Sequence, residues 1–474
     1  MSICTVWRPH AVTRLGVSLG LLAALVCQFA APSACAGPMA DFGGGDATRL
    51  AVVAPEISPW PRDPFDLERP SLLSLVRRPS VRLEWMSEDV VRWREEGVAS
   101  GRVAARSAGL KAIVPVGQGA VGVWLGGDRG NGSYQAMRDL ALNLPQESIA
   151  VIYGRKLGRK RRCGLLWQRR RTRGRAQGTV LGDLINDAPF GRLDAPWRGG
   201  DLVIEGAASW GNGEAALSLD LSEASWPVSL TNGPDTASLD LGHRGLGFRT
   251  EVWQQAGRRV ELYAFGGSVD ASGSGGAFYD AVAYGGAETG AYRAWLGMGA
   301  AWQSSARTVA VGESWWQTAQ LSARALTGVP TAFGFASPGQ ELAAQANAGL
   351  SVTSVRIAAR HRMGNNVIIG AGVQASHVDA DASLGWRETY TWNLKPPSVG
   401  GSCDTLDGAR LYIAGMGAHK QCGDFAVDLA LAMAFAQTRR KPSPPVAPPP
   451  PPEVSHAHQV SGGLAVAAAI TWQR

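Results

Sequence analysis

The sequence predicts an all-β protein, a transmembrane antiparallel up-and-down β-barrel of about 14–16 strands. Three observations carry this expectation. Segments of about ten residues alternate apolar with small or polar side chains; several of them begin and end on aromatic residues; and short turns alternate with long connections.

The 474 residues could form two or three soluble domains or one large closed sheet. Glycine (60) and tryptophan (17) are abundant, and charged residues make up only 18%. Beyond the N-terminus no apolar run approaches the roughly 20 residues that a spanning helix needs, so a membrane span would have to be made of strands.

Residues 1–36 read as a cleavable signal peptide. Arg8 and Arg14 form a basic region, Leu15–Ala31 an apolar stretch, and Ala34-Cys35-Ala36 a small-x-small cleavage site. Residues 37–79 differ from the remainder of the chain, with Pro59-Trp60-Pro61-Arg62-Asp63-Pro64 and no sustained alternation; they are expected to form a periplasmic arm or a plug in the lumen. The barrel is expected over 80–474. Short helices are expected in connections at Ser87–Glu96 and Tyr134–Leu142.

The clearest alternation places Phe425, Val427, Leu429, Leu431, Met433 and Phe435 on one face, with Asp424, Ala426, Asp428 and alanines on the other. Tyr292, Leu296, Met298 and Trp302 oppose Arg293, Trp295, Gly297 and Gly299 in the same way. Leu464, Val466, Ile470 and Trp472 line one face of the last segment. Ten residues from Tyr292 to Trp302, at about 3.3 Å each and tilted about 40°, rise about 25 Å, the apolar height of an outer membrane. Trp210, Tyr292, Trp302, Phe425, Phe435 and Trp472 are therefore the expected aromatic girdle. The opposite face supplies the expected lumen charges: Arg249, Glu251, Arg293, Arg356, Arg360, Asp424 and Asp428. They would either screen ions or brace a closed lumen.

Short turns are expected near Gln118, Gly158, Asn212, Gly257, Ser305, Asn365 and Lys420. Long external loops are expected over 127–146, 172–199, 270–290, 323–341, 387–408 and 438–458. Pro449–Pro452 stiffens the last of these into an extended spur.

The segments LKAIVPVGQGAVGVWLGGD (Leu110–Asp128) and ESIAVIYGRKLG (Glu147–Gly158) resemble the early hairpins of the long-chain fatty-acid transporter family and its porin-like relatives. The resemblance implies a barrel of about fourteen strands with an N-terminal plug, carrying hydrophobic compounds. It brings no binding residues with it.

Chemistry-bearing clusters are sparse. Cys163, Cys403 and Cys422 would remain after signal cleavage and show no disulfide or metal spacing. His377, Asp379 and Asp381 share a face near one rim without a nucleophile, and His456 and His458 supply only two metal ligands. No enzyme activity, metal or cofactor is expected. The basic stretch Arg155–Arg175, a large share of the +7 net charge, suits anionic headgroups or lipopolysaccharide phosphates in an exported protein, or a solvated loop, rather than nucleic acid. Expected partners are outer-membrane lipid, lipopolysaccharide and, during insertion, the barrel-assembly machinery. Two readings stand: an outer-membrane porin-like channel or transporter of small or hydrophobic solutes, and a non-transporting surface anchor or adhesin. A soluble secreted β-rich protein is a third.

Overall fold

A computed structural model describes residues 47–54, 57–60, 69–93, 99–134, 140–178, 191–232, 235–279, 282–330, 336–364, 366–390, 398–442 and 458–473. The expected signal peptide and Pro449–Pro452 lie outside the described residues.

Sixteen antiparallel strands form one closed barrel in sequential order. β1 (Ser80–Trp93), β2 (Ala99–Val116), β3 (Gly119–Tyr134), β4 (Leu140–Lys156), β5 (Arg161–Gly178), β6 (Gly191–Trp210), β7 (Gly213–Asn232) and β8 (Asp235–Gln255) make the first half. β9 (Val260–Tyr279), β10 (Val282–Ser305), β11 (Thr308–Pro330), β12 (Ala336–Met363), β13 (Val367–Tyr390), β14 (Ser398–Cys422), β15 (Phe425–Pro442) and β16 (His458–Gln473) make the second. All fourteen residues of β1 pair with β16, from Ser80↔Gln473 to Trp93↔Val460, and this ladder closes the wall. Closure satisfies the backbone of every strand, which lipid cannot do.

Alternation follows the pleat. Leu296, Met298 and Trp302 point outward and are 63%, 64% and 54% exposed, while Arg293, on the same strand, is buried on the inner face. On β15, Phe425, Leu429 and Met433 face out and Ala426, Asp428, Ala430 and Ala432 face in. The outer face is thus a band of large apolar side chains with no protein partner, the surface that a bilayer covers.

The structure departs from the sequence reading at the ends of the strands. Ser87–Trp93 continues β1 rather than forming a helix, and Leu140–Leu142 belongs to β4. Much of the expected loops from 127–146 to 387–408 is strand: Asp270–Tyr279 stays in β9, and β12 runs for 28 residues. The physical reason is that every strand in a closed barrel has two neighbours, so the ladder continues past the apolar band wherever no proline or turn interrupts it. The last short turn lies at Gly423–Asp424, not at Lys420, which sits in β14 paired with Val367 and Val427. Gly423 has φ 61, a left-handed conformation that glycine adopts without strain.

Two N-terminal pieces pack inside. A short helix, α1 (Ala47–Ala51), with the residues after it, lies on β13–β16; a 3-10 turn (Pro70–Leu75) lies on β3–β6. Each docks on a notch made by small residues. A Cβ on Gly372 would stand 2.4 Å from the Val52 carbonyl oxygen, and one on Gly415 2.5 Å from that of Leu50. A Cβ on Gly164 would stand 2.2 Å from the Ser71 nitrogen, and one on Gly154 2.5 Å from the Pro70 oxygen. Beside the second notch, Leu73 is buried against Ile113, Ala150, Ile152 and Leu166.

Replacing Leu296 with Arg puts a charge in the middle of the apolar band and should cost about 2–4 kcal/mol. Reversible urea unfolding in lipid vesicles is expected to show that loss, while Leu296→Ala should lose less than half as much.

Candidate functional site in the barrel lumen

The inner face gathers ionisable and aromatic side chains around the N-terminal segment. At the centre is Glu313 on β11, whose Oε2 accepts from the Tyr263 hydroxyl at 2.8 Å, from Arg356 Nη2 at 2.5 Å and from Ser58 Oγ at 2.8 Å. Arg356 Nη2 also lies 3.1 Å from Ser58 Oγ. The Arg356 and Glu313 side chains are both 0% exposed. Two charges buried this completely are tolerable because each neutralises the other and the carboxylate oxygen is surrounded by donors.

The same node grips Trp60. Its backbone nitrogen donates to Ser58 Oγ at 3.2 Å, and its ring lies under the guanidinium groups of Arg356 (5.8 Å) and Arg360 (5.5 Å). Ile57 and Trp60 then join Trp253, Tyr263, Phe265, Val311 and Trp315 in one buried cluster, with Trp295 against it. Trp253 and Tyr263 contact ring to ring at 4.6 Å between centroids. Aromatic residues at alternate positions of β8–β11 thus make an apolar wall inside the barrel, not on its lipid face.

A second set of contacts pins the other piece of the segment. Arg69 donates to the Pro59 and Ser58 carbonyls at 2.6 and 2.9 Å and pairs with Glu251 at 2.9 Å. The Ser71 nitrogen donates to Glu205 Oε2 at 2.7 Å. Arg49 reaches the Ser58 carbonyl at 3.4 Å. Near the short-turn end, Lys111, Glu84, Arg82, Asp428 and His419 form a chain of polar contacts, from the Lys111–Glu84 pair at 3.2 Å through Arg82–Asp428, which crosses the closing seam, to the His419–Asp428 hydrogen bond at 2.8 Å.

Of the seven expected lumen charges, six are on the inner face. Glu251 and Arg356 meet the N-terminal segment, Arg360 faces Trp60, and Asp428 belongs to the seam. Arg293 donates to Gln317 at 3.2 Å and lies over Trp295, and Arg249 is half-buried beside Glu251 in the alternation of β8. Asp424 is the exception and corrects the expectation: it is exposed in the turn after β14, where its carbonyl accepts from the Gln473 nitrogen at 2.8 Å. The alternation of β15 starts one residue later, at Phe425, so Asp424 has no face.

All six expected girdle residues alternate onto the outer face. Trp210, Trp302, Phe425 and Trp472 lie beside the short turns and chain ends, with Phe425 directly opposite Trp472; Tyr292 and Phe435 lie further along. His377 and Asp379 are 3.5 Å apart and half-exposed, and among the described residues no group of three His, Cys, Asp or Glu side chains could hold a metal.

The sequence reading missed Glu313 and Tyr263. Glu313 sits in Val-Gly-Glu-Ser-Trp, and a lone Glu between Val311 and Trp315 at alternate positions signals an inward charge in an otherwise apolar row. Ser58 and Trp60 carry no alternation and had no such signal.

No protein-family model matches the chain, and no curated protein matches it. Among solved structures, it is similar to the Pseudomonas putida toluene transporter TodX, at 9% identity and TM-score 0.46, over 90% of this chain and 97% of that one. A Pseudomonas aeruginosa FadL homologue aligns at 11% identity and TM-score 0.43 over 90% and 98% of the two chains. The Ralstonia pickettii toluene transporter TbuX aligns at 11% identity and TM-score 0.38 over 86% and 92%.

Glu313→Gln and Arg356→Met each leave the other charge buried without its partner, a loss of about 3–5 kcal/mol. Because the node joins segment to wall, the expected effect is release of residues 47–76, read as new cleavage there by limited proteolysis of a barrel that still shifts on heating in SDS gels. The double variant should be less susceptible than either single one.

Proposed function

We propose that the protein is an outer-membrane transporter of hydrophobic solutes whose N-terminal segment is a lumen plug. One observation carries the reading: an aromatic inner wall, Trp253, Tyr263, Phe265 and Trp315, is covered by Ile57 and Trp60 of that segment. A water-filled pore for polar solutes has no use for such a wall, since apolar surface facing water is unfavourable by about 25 cal/mol per Å². Further toward the long-strand end, Leu193, Trp226, Val228 and Leu241 continue the apolar lining on the inner faces of β6–β8. A hydrophobic solute that leaves water can therefore exchange one apolar contact for the next, with the plug as the last barrier.

The outward apolar band and the amphipathic β16, with Leu464, Ile470 and Trp472 on its outer face, support placement in the outer membrane and insertion by the barrel-assembly machinery. The expected export signal in residues 1–36 fits the same route.

The test is uptake by a Gram-negative host with and without the expressed chain. Expression is expected to speed uptake of radiolabelled naphthalene several-fold and leave glucose uptake through the outer membrane unchanged, and the purified protein should show no stable conductance in planar bilayers. Steady conductance with glucose leak would mean an open porin. A closed barrel that moves neither probe would leave the anchor reading.

A further inference from the structure

The outer wall carries a second feature, unconnected with the lumen. Where the apolar band ends on β5–β8, a register row runs Trp167, Leu202, Leu221, Leu246, each directly paired with the next. The next outward row toward the long-strand end is Arg169, Gly200, Glu223, Arg244, and the one beyond it begins Arg171, Arg198, Ser225, Gly242. Apolar thus gives way to charge in a single step, at the level where a bilayer passes from acyl chain to headgroup.

These two rows frame a groove of about 1090 Å³. Trp167, Arg169 and Arg198 form one side, Glu223 and Arg244 the middle, and Glu288 the far side, over a floor of glycine and serine. Arg171 and Arg198 are direct cross-strand neighbours on the same face, both exposed. Like charges in that position repel. Among the described residues, none of Arg169, Arg171, Arg198 and Arg244 makes an ion pair, although Glu147 is the register neighbour of Arg171 and Glu223 that of Arg244. Four unneutralised guanidinium groups beside an apolar band describe the complement of an amphiphile whose anionic head sits just above its chains.

We propose that this groove binds a phosphorylated glycolipid of the outer leaflet, of the lipid A kind. Its phosphate is taken by Arg171 and Arg198 with Arg169 beside them, and its sugar hydroxyls face Glu223. Its acyl chains lie on Trp167, Leu202, Leu221 and Leu246. The carboxylates explain the choice of a glycolipid over a simple anionic phospholipid: they repel a bare anion and accept hydrogen bonds from a hydroxyl-rich head. The proposal rests on outer-membrane placement but not on transport.

The experiment measures binding of bisphosphorylated lipid A, dephosphorylated lipid A and phosphatidylglycerol to the full-length mature protein in detergent, by native mass spectrometry. The wild type is expected to bind bisphosphorylated lipid A at least tenfold more tightly than either other lipid. R171Q/R198Q should lose at least tenfold of that affinity, whereas R258Q/R259Q, which removes two charges from a short turn at the opposite end, should keep it. Heat-modifiability of both variants checks folding, and R171K/R198K, keeping the charge without the planar fork, should recover part of the affinity if the other pair fails to fold. Equal binding of the three lipids, or wild-type affinity in R171Q/R198Q, overturns the proposal.

Discussion

A strand in hydrocarbon cannot leave a backbone N–H or C=O unpaired, because lipid offers no replacement for the lost hydrogen bond and each orphan costs several kcal/mol. The ladder between β1 and β16 is where this protein meets that constraint: it turns a sixteen-stranded sheet with two raw edges into a wall with none. The choice of register there also fixes everything else about the faces. A slip by one residue at the seam would turn Leu83 and Trp85 inward and put Arg82 and Glu84 into lipid. The ion pair of Arg82 with Asp428 reaches across that same seam on the inner side, and Glu84, paired with Arg82 and with Lys111 of β2, completes the charge set beside it. They reward the correct register with neutralised charges and penalise the alternative.

Closure creates an interior that must then be filled or wetted. The buried polar node around Glu313 and the aromatic cluster beside it divide this work. The cluster supplies most of the attraction, because burying an aromatic side chain such as Trp60 or Phe265 contributes on the order of 1.5–3 kcal/mol. The node supplies position. Three donors on one carboxylate oxygen admit a single placement of Ser58, and the glycine notches at Gly372 and Gly415 admit the backbone of α1 at only one depth. Val53, a β-branched residue at φ 55, takes a left-handed backbone where the segment packs on Leu411, Ile413 and Ala434 of the wall.

The barrel was legible in the sequence because its dominant signal is periodic. Strands such as β10 and β15 put every second residue into lipid, and the hydrophobic requirement on that face leaves a trace at each position. The N-terminal segment has no period to leave. Its composition sets residues 37–79 apart, but the contacts that tie Ser58, Trp60 and Arg69 to the wall are with side chains more than a hundred residues away, and only the closed wall brings them together. The strand ends were misread for the opposite reason: stretches such as Asp270–Tyr279 have the glycine and serine content of a loop, yet with a partner on each side they remain paired. Asp424 shows the limit of the periodic argument at a turn, where one residue of phase separates a lumen charge from an exposed one.

The run Arg169-Arg170-Arg171 shows what alternation does to a sequence feature that looks uniform. Read along the chain it is one block of positive charge. In β5 it is divided: Arg170 points inward, paired with Asp201 and lying over the Trp197 ring at 5.8 Å, while Arg169 and Arg171 point outward above the apolar band. The inward arginine is neutralised by the barrel itself, so it can be accounted for as internal structure. Among the described residues the outward pair has no such partner. Alternation thus turns three adjacent residues of the same kind toward two environments, one inside the wall and one outside it.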